Sequence, residues 1–213
     1  MSVYEWGHSG SGYGDMVQIH NVKIYDLTES IAAAKYPMQV DPNPNDDRLT
    51  TTLVKLAQCD MGTGHDNWLC GVRVAFDISL TAKCLVEWER YHFADIVSSN
   101  STMHRITKFD LDSAYCKYVD PRMIAVMKEL VCRYNDDPTP ENLLTVLYSN
   151  PCGFTYTMRI NTNYRQLKTM YNQRRNHRLP EWREFCQWIE TLPHAELIVG
   201  DKKVLDTDSA PVL

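Results

Sequence analysis

Val72-Arg-Val-Ala-Phe-Asp-Ile-Ser-Leu80 is the clearest strand pattern in the chain, because apolar side chains alternate with polar or small ones along its whole length. Successive side chains of a strand point to opposite faces of its sheet. The apolar set therefore predicts a face buried against a core. The intervening residues, Arg73 and Asp77 among them, are expected to face solvent or a binding site.

Outward from this strand, the sequence contains more helix signals than strand signals. Strands are predicted over 16–27 and 153–160, and helices over 28–35, 48–59, 82–92, 163–175 and 180–192, with two more starting at Asp120-Pro121 and Thr139-Pro140. Thr28, Asp120 and Thr139 are the expected N-caps of their helices. Helices and strands do not alternate as regular βαβ units, so we predict an α+β fold with a mixed or antiparallel sheet packed against helices.

The length of 213 residues suits one domain with a substantial core. We assign residues 16–199 to that domain, 1–15 to a flexible Gly/Ser-rich N-terminus and 200–213 to a frayed tail. The net charge of −5 disfavours sequence-independent nucleic-acid binding. No apolar run is long enough for a membrane span, and no signal-peptide pattern is present.

The seven cysteines indicate reduced, packed thiols, because their number is odd and none forms a C-x-x-C pair. This usage is typical of a cytoplasmic protein and argues against both a disulfide framework and a zinc site. No metal site is therefore expected. A catalytic cysteine has no histidine partner nearby in the sequence to support it.

A second informative stretch is Glu87-Trp-Glu-Arg-Tyr-His-Phe-Ala-Asp-Ile-Val-Ser-Ser-Asn-Ser-Thr-Met-His-Arg105. It reads as the end of an apolar-striped helix, followed by a polar loop rich in hydroxyl groups that closes on Arg105. Cations and hydrogen-bond donors around such a loop suit an anion or nucleotide site. The alternative is an ordinary polar loop, in which the basic residues only complement the helix dipole.

The helix predicted over 163–175 carries an arginine on its apolar side. Tyr164, Leu167, Met170 and Arg174 fall on one face at helical spacing. An inward guanidinium is costly unless an anion or a carbonyl oxygen meets it. A salt bridge to one of the chain's acidic residues, extension of the side chain to water, and a ligand site all remain open.

Three segments in consistent order resemble the flavin-dependent thymidylate synthases, the ThyX family. Gly64-His65-Asp66 resembles a Gly-His-Glu turn that places a histidine near the flavin. The stretch 88–105 resembles the signature R-H-R-x-x-S-x-N-x-x-S-x-R. The segments 163–165, 172–174 and 182–184 resemble the C-terminal helix pair, whose Asn and Arg residues contact flavin and pyrimidine.

The sequence departs from the family pattern at several positions. Arg90-Tyr91-His92 stands for R-H-R, with extra residues before the S-x-N part. Met103 replaces the second signature serine, and Glu87 replaces a glutamine. Leu147, ahead of Pro151, stands where the family has a phosphate-binding arginine. Other cations that could take over that contact are His104, Arg159 and Arg175.

The resemblance implies transfer of a one-carbon unit from methylenetetrahydrofolate to C5 of a pyrimidine nucleotide of the deoxyuridine type, with FAD as cofactor and NADPH as reductant. The implied catalytic residue is Arg174, where negative charge develops on the pyrimidine oxygens. Implied substrate-binding positions are Glu87, Ser101, Met103, Arg105 and Arg174. Implied cofactor-binding positions are His65, Arg90, Tyr91, His92, Ser98, Asn100, Asn163 and Arg165. The resemblance also implies a homotetramer with sites at subunit interfaces, and exposed Trp182 and Trp188 would fit it.

Two other functions compete with this one. The chain could have the ThyX fold and bind flavin or nucleotide while acting on another pyrimidine, or serve only as a binding or structural oligomer. The basic run Gln173-Arg-Arg-Asn-His-Arg178 could instead contact nucleic acid. Its position before Leu179-Pro180 is more typical of a solvated turn between two helices.

Overall fold

The computed structural model describes residues 16–60 and 62–200, together with the backbone of Val3–Glu5. The predicted flexible N-terminus and C-terminal tail lie outside the described residues, apart from Val3–Glu5 and Gly200. The sequence did not predict the strand formed by Val3–Glu5. No helix among the described residues is both long and apolar enough to cross a membrane.

Five antiparallel strands form one sheet. The strands are β1 (Val3–Glu5), β2 (Gln18–Tyr25), β3 (Arg73–Thr81), β4 (Asp95–Ser99) and β5 (Thr155–Asn163). Their order in the sheet is β1-β2-β3-β5-β4, which leaves β1 and β4 at the edges. The predicted α+β class is confirmed, and every strand pair is antiparallel.

The predicted strand at 72–80 is the centre of this sheet. Val74, Phe76 and Ile78 of β3 are completely buried, whereas Asp77 on the opposite face is partly exposed. β3 pairs with β5 along its whole length, from Arg73 opposite Asn163 to Thr81 opposite Thr155. Asn163 therefore lies at the end of β5 where the chain enters the next helix.

The described part of the chain contains nine α-helices. They are α1 (Leu27–Ala33), α2 (Thr51–Ala57), α3 (Ala82–Trp88), α4 (Thr102–Arg105), α5 (Pro121–Asp136), α6 (Pro140–Ser149), α7 (Tyr164–Arg174), α8 (Pro180–Ile189) and α9 (Glu196–Val199). Short 3₁₀ helices cover Tyr36–Met38, Asn67–Cys70 and Ile106–Lys108. The predicted caps at Asp120 and Thr139 are confirmed, because each side chain accepts a hydrogen bond from its helix.

The main core lies between the buried sheet face and helices α7 and α8. Trp182 and Trp188 are 0% and 1% exposed, so the expectation that they are exposed was wrong. Trp182 stacks on Trp88 with ring centroids 5.5 Å apart, and Trp188 packs on Phe76 at 4.7 Å. Their large apolar area is better placed in this aromatic cluster than in water.

A smaller second core joins α5 and α6 to the sheet. Its fully buried members are Met127, Val146 and Phe154. The apolar side of α5 is only partly buried, because Met123 and Val126 are 45% and 43% exposed.

Three local predictions were wrong. The loop expected after α3 contains strand β4, which the backbone of β5 stabilises by pairing with it at the sheet edge. Helix α3 ends at Trp88 instead of 92, where the backbone turns. Thr28 is not a cap, because α1 begins at Leu27 and Asp26 occupies the N-cap position.

All seven cysteines, each of them in the described part of the chain, are free thiols. Cys84 and Cys186 are buried, and burial raises the pKa of Cys186 to about 12. Cys70, Cys132 and Cys152 are exposed, so the prediction of packed thiols holds for only part of the set. Among residues 16–60 and 62–200, no three His, Cys, Asp or Glu side chains gather where they could hold a metal ion.

Candidate functional site

Helix α7 carries two arginines at opposite ends. Arg165 lies in its first turn and Arg174 is its last residue. Nine residues of α-helix separate them by roughly 14 Å along the axis and by about half a turn around it. Within one chain, the two arginines therefore have different neighbouring residues.

Arg174 points inward, as the stripe of apolar residues predicted. Tyr164, Leu167 and Met170 of the same face are fully buried, and the Arg174 side chain is 13% exposed. Its Nη1 donates to Glu87 Oε2 at 2.8 Å, and its Nε donates to Tyr91 Oη at 2.6 Å. Of the alternatives that the sequence left open, the structure contains the salt bridge.

Aromatic rings enclose the Arg174 guanidinium. Its central carbon lies 4.8 Å from the centroid of the Trp182 ring and 5.5 Å from that of Tyr91, which are cation–π distances. The Tyr91 hydroxyl in turn donates to Gln173 Oε1 at 2.9 Å. Burial raises the pKa of Tyr91, and the hydrogen bond from Arg174 opposes that shift.

Glu87 accepts three contacts on a single oxygen. Besides Arg174, Trp182 Nε1 donates to Oε2 at 3.1 Å, and His177 Nε2 lies 3.2 Å from it. The Leu179 backbone N–H donates to His177 Nδ1, so Nε2 is the nitrogen that carries the proton in the neutral ring. Burial lowers the pKa of His177, although the Glu87 carboxylate acts in the opposite direction. The side chains of Arg174, Trp182 and His177 at this end of α7 thus all contact Glu87 within the chain.

At the other end of α7, Asn163 is the N-cap, and its Oδ1 accepts from the Gln166 N–H at 2.9 Å. Arg165 Nε donates to Asp66 Oδ1 at 3.1 Å. Lys168 Nζ donates to Asp66 Oδ2 at 2.9 Å and to the Cys59 carbonyl oxygen at 2.8 Å. Asp66 is completely buried and Lys168 is 5% exposed. One carboxylate therefore faces two cations.

A cavity of about 280 Å³ opens beside Arg165, which is more exposed than Arg174. Its lining consists of Cys70, Phe93, Asn163, Arg165, Gln166 and Thr169. A second cavity of about 190 Å³ shares Cys70, Phe93 and Asn163 with it. Arg73 and Asp95 also line the second cavity. The region has hydrogen-bond donors, an aromatic wall and an excess of positive charge, which suits an anionic ligand.

The remaining predicted site residues are dispersed. His65, Arg90, His92 and Ser98 are exposed, as are Met103 and Arg105 on α4. Asn100 extends the pairing of β4 with β5, because its Oδ1 accepts from the Thr157 N–H at 3.2 Å. Ser101 is the N-cap residue of α4, without a side-chain cap bond.

Within one chain, the structure brings Glu87, Tyr91 and Arg174 together at one end of α7, and Asn163 and Arg165 at the other. Residues 98–105 belong to neither group. Sequence reasoning missed the buried pair Asp66–Lys168 and the aromatic wall Phe93. The spacing of Arg165 and Lys168, one helical turn apart, is a signal that could have revealed a shared partner.

No family model matches the chain, and no curated protein matches it. Its fold is nonetheless similar to solved structures. One is the flavin-dependent thymidylate synthase ThyX from Helicobacter pylori complexed with FAD and dUMP, with a TM-score of 0.67 and 16% identity over 86% of this chain and 97% of that one. The fold is ThyX-like.

A second structure similar to this chain is the UMP/dUMP methylase PolB from Streptomyces cacaoi bound with 5-Br dUMP. Its TM-score is 0.60, and it is 13% identical over 82% of this chain and 88% of that one. At these identities the likeness concerns the fold, and function has to be argued from the site.

Proposed function

We propose that this chain binds FAD and a pyrimidine nucleotide of the deoxyuridine type, and that it transfers a one-carbon unit from methylenetetrahydrofolate to C5 of the pyrimidine. The observation that supports this most is the agreement of two independent lines. The motifs at 64–66, 88–105 and 163–174 follow a ThyX-like order, and 86% of the chain matches a ThyX structure in fold.

The residues beside the Arg165 cavity fit part of a flavin cofactor. Arg165 and the net positive charge around Asp66 suit the diphosphate of FAD, and Phe93 offers an apolar surface. When bound, FAD would carry electrons from NADPH to the transferred one-carbon unit. The cavity of about 280 Å³ is small for a complete cofactor, since drug-sized ligands occupy roughly 300–1,000 Å³.

The small size of this cavity supports completion of the site by other copies of the chain. Arg165 and Arg174 lie at opposite ends and on opposite sides of α7, so one chain does not present both to the same small ligand. We therefore propose a homotetramer whose sites lie at subunit interfaces. His65, Arg90 and His92, which are exposed in one chain, would supply further cofactor contacts across that interface.

In this proposal Arg174 stabilises the negative charge that develops on the pyrimidine oxygens when C5 attacks. Its Nη1 is held by Glu87, so the pyrimidine must either use the other guanidinium donors or displace the carboxylate. Arg105, Ser101 and Met103 on and before α4 would contact the nucleotide.

The test has two stages. Purified protein is titrated with FAD, and binding is followed by quenching of flavin fluorescence. Release of tritium from 5-labelled dUMP is then measured with methylenetetrahydrofolate and NADPH, using wild type and Arg174→Ala. Tritium release that disappears in the variant would support the proposal. Absence of FAD binding by the wild-type protein would contradict it.

The Glu87–Arg174 salt bridge favours a second candidate function. The Arg174 guanidinium is already paired with a half-buried carboxylate and lies against the rings of Trp182 and Tyr91, so removing either charge would leave the other without its partner. The chain would then be an altered ThyX-fold protein that binds flavin or nucleotide, acts on another pyrimidine, or serves as a binding oligomer. FAD binding without tritium release from dUMP would favour this candidate.

A further inference from the structure

Asp66 is the most deeply buried charged residue beside the Arg165 cavity. It has no exposed surface, and both of its oxygens are used, Oδ1 by Arg165 and Oδ2 by Lys168. Removing a carboxylate from water is costly and is offset here by two cations. Lys168 also donates to the Cys59 carbonyl oxygen, which ties the segment preceding the Asp66 turn to α7.

The contact between Asp66 and Arg165 uses only one edge of the guanidinium. Asp66 Oδ1 accepts from Nε, the nitrogen nearest the aliphatic part of the side chain. The planar guanidinium has four more N–H groups on its terminal nitrogens. A carboxylate on Nε therefore fixes the plane of the group while leaving those donors for another acceptor.

We propose that Asp66 is a positioning residue that, together with Lys168, orients Arg165 so that it binds a phosphate or diphosphate group in the adjoining cavity. Identifying that group as the diphosphate of FAD rests on the function proposed above. The anion-binding role of Arg165 rests on the cavity, on its lining and on the excess of one positive charge in the Asp66–Arg165–Lys168 cluster.

Electrostatics and positioning predict opposite results for Asp66→Asn. Neutralising a carboxylate beside an anion site leaves more positive charge, so charge alone predicts tighter binding of an anion. If Asp66 instead orients Arg165, the same substitution weakens binding, because the donors lose their fixed direction. The sign of the change thus separates the two effects.

A charge-matched double variant makes the test independent of net charge. Asp66→Asn combined with Lys168→Met removes one negative and one positive charge, so the local excess of one positive charge remains as in wild type. It also avoids leaving Lys168 buried without a carboxylate, which would endanger folding of the single variant. Circular dichroism and thermal unfolding establish that each variant is folded.

The experiment measures the Kd of FAD and of inorganic pyrophosphate by calorimetry. The proteins are wild type, Asp66→Asn, Asp66→Asn with Lys168→Met, Arg165→Ala, and Asp66→Asn with Arg165→Ala. We expect Arg165→Ala to weaken binding by about 10- to 100-fold, the usual cost of losing hydrogen bonds to a charged group. Both variants that lack Asp66 but keep Arg165 should bind more weakly than wild type, by about tenfold in the charge-matched double variant and by less in Asp66→Asn, where the added positive charge partly offsets the loss. In the Arg165→Ala background, Asp66→Asn should not weaken binding further, because a positioning residue acts only through its partner.

Asp46→Asn is the matched control, because Asp46 pairs with Lys35 outside both cavity linings. It should leave both Kd values unchanged. Equal or tighter binding by the charge-matched variant would overturn the proposal. The same holds if Arg165→Ala binds as tightly as wild type, or if wild type binds neither FAD nor pyrophosphate. Pyrophosphate binding without FAD binding would overturn the proposed function alone. FAD binding that is insensitive to Asp66 would overturn this inference alone.

Discussion

Each end of α7 has an arginine, a carboxylate and an aromatic ring, but the two ends differ in net charge. At the Arg174 end, one carboxylate meets one guanidinium, and aromatic rings close the site. At the Arg165 end, one carboxylate meets two cations beside a cavity. At the Arg174 end, the charges of Glu87 and Arg174 balance each other within the chain. At the Arg165 end, Arg165 and Lys168 outnumber Asp66 by one positive charge, which can interact with an anionic ligand.

This difference shows that an inward-pointing arginine is not by itself a sign of a ligand site. The apolar stripe of α7 correctly placed Arg174 inside, yet the interior supplied Glu87 as its partner. Arg165 lies off that stripe and is the arginine with room beside it. Charge balance and open volume are therefore more informative than burial when the two arginines are compared.

Among the changes that test this contrast between the two ends of α7, removal of the Glu87 carboxylate should have the largest effect on stability. Glu87→Ala leaves the Arg174 guanidinium enclosed without its anion and removes the acceptor of Trp182 Nε1. We expect a loss of roughly 3 kcal/mol in the free energy of unfolding, near the lower range for a broken buried pair because water still reaches the site. Urea denaturation near neutral pH measures it.

Glu89→Ala is the control for Glu87→Ala, because Glu89 is exposed and follows the same helix. It should change the free energy of unfolding by less than about 0.5 kcal/mol. If Glu87→Ala were as stable as this control, the Arg174 end would not be the closed, self-satisfied site described above.

Replacing Arg174 or Arg165 by lysine, one at a time, should have an intermediate effect on the free energy of unfolding. Arg174→Lys loses the Nε bond to Tyr91 and weakens the cation–π contact with Trp182, so we expect a cost of about 1–2 kcal/mol in stability. Arg165→Lys, at a more exposed site, should cost about 0.5 kcal/mol. Pyrophosphate affinity should show the reverse order, falling with Arg165→Lys only. Equal stability losses at the two positions would contradict the contrast.

Local rules were sufficient for much of the fold. The alternation in β3, the Asp-Pro and Thr-Pro starts of α5 and α6, and the apolar stripe of α7 all depend on neighbours a few residues away. The turn predicted for the basic run 173–178 is confirmed from residue 175 onward, since α7 ends at Arg174 and α8 begins at Pro180.

What the sequence could not provide depends on distant partners. β4 is a strand because β5 offers its edge, although Ser98 and Ser99 resemble a loop. Trp182 is buried because Trp88, far away in the chain, stacks on it. Glu87 could not be chosen as the partner of Arg174 among 27 acidic residues, since only the tertiary fold brings α3 beside α7.

The smallest effect is a pH dependence expected at the Arg174 end, where His177 lies beside Glu87. Burial lowers the pKa of His177 below its unfolded value of 6.5, so the unfolded chain binds more protons between the two values. Stability should then be complete above about pH 6.5 and should fall as pH drops through the folded pKa of His177. The main physical cause is that burial disfavours the charged imidazolium, and protonation also adds a cation beside Arg174 and removes the acceptor of the Leu179 N–H. Urea denaturation over this range, compared with His177→Asn, measures the slope, and an unchanged slope in the variant would assign it to another group.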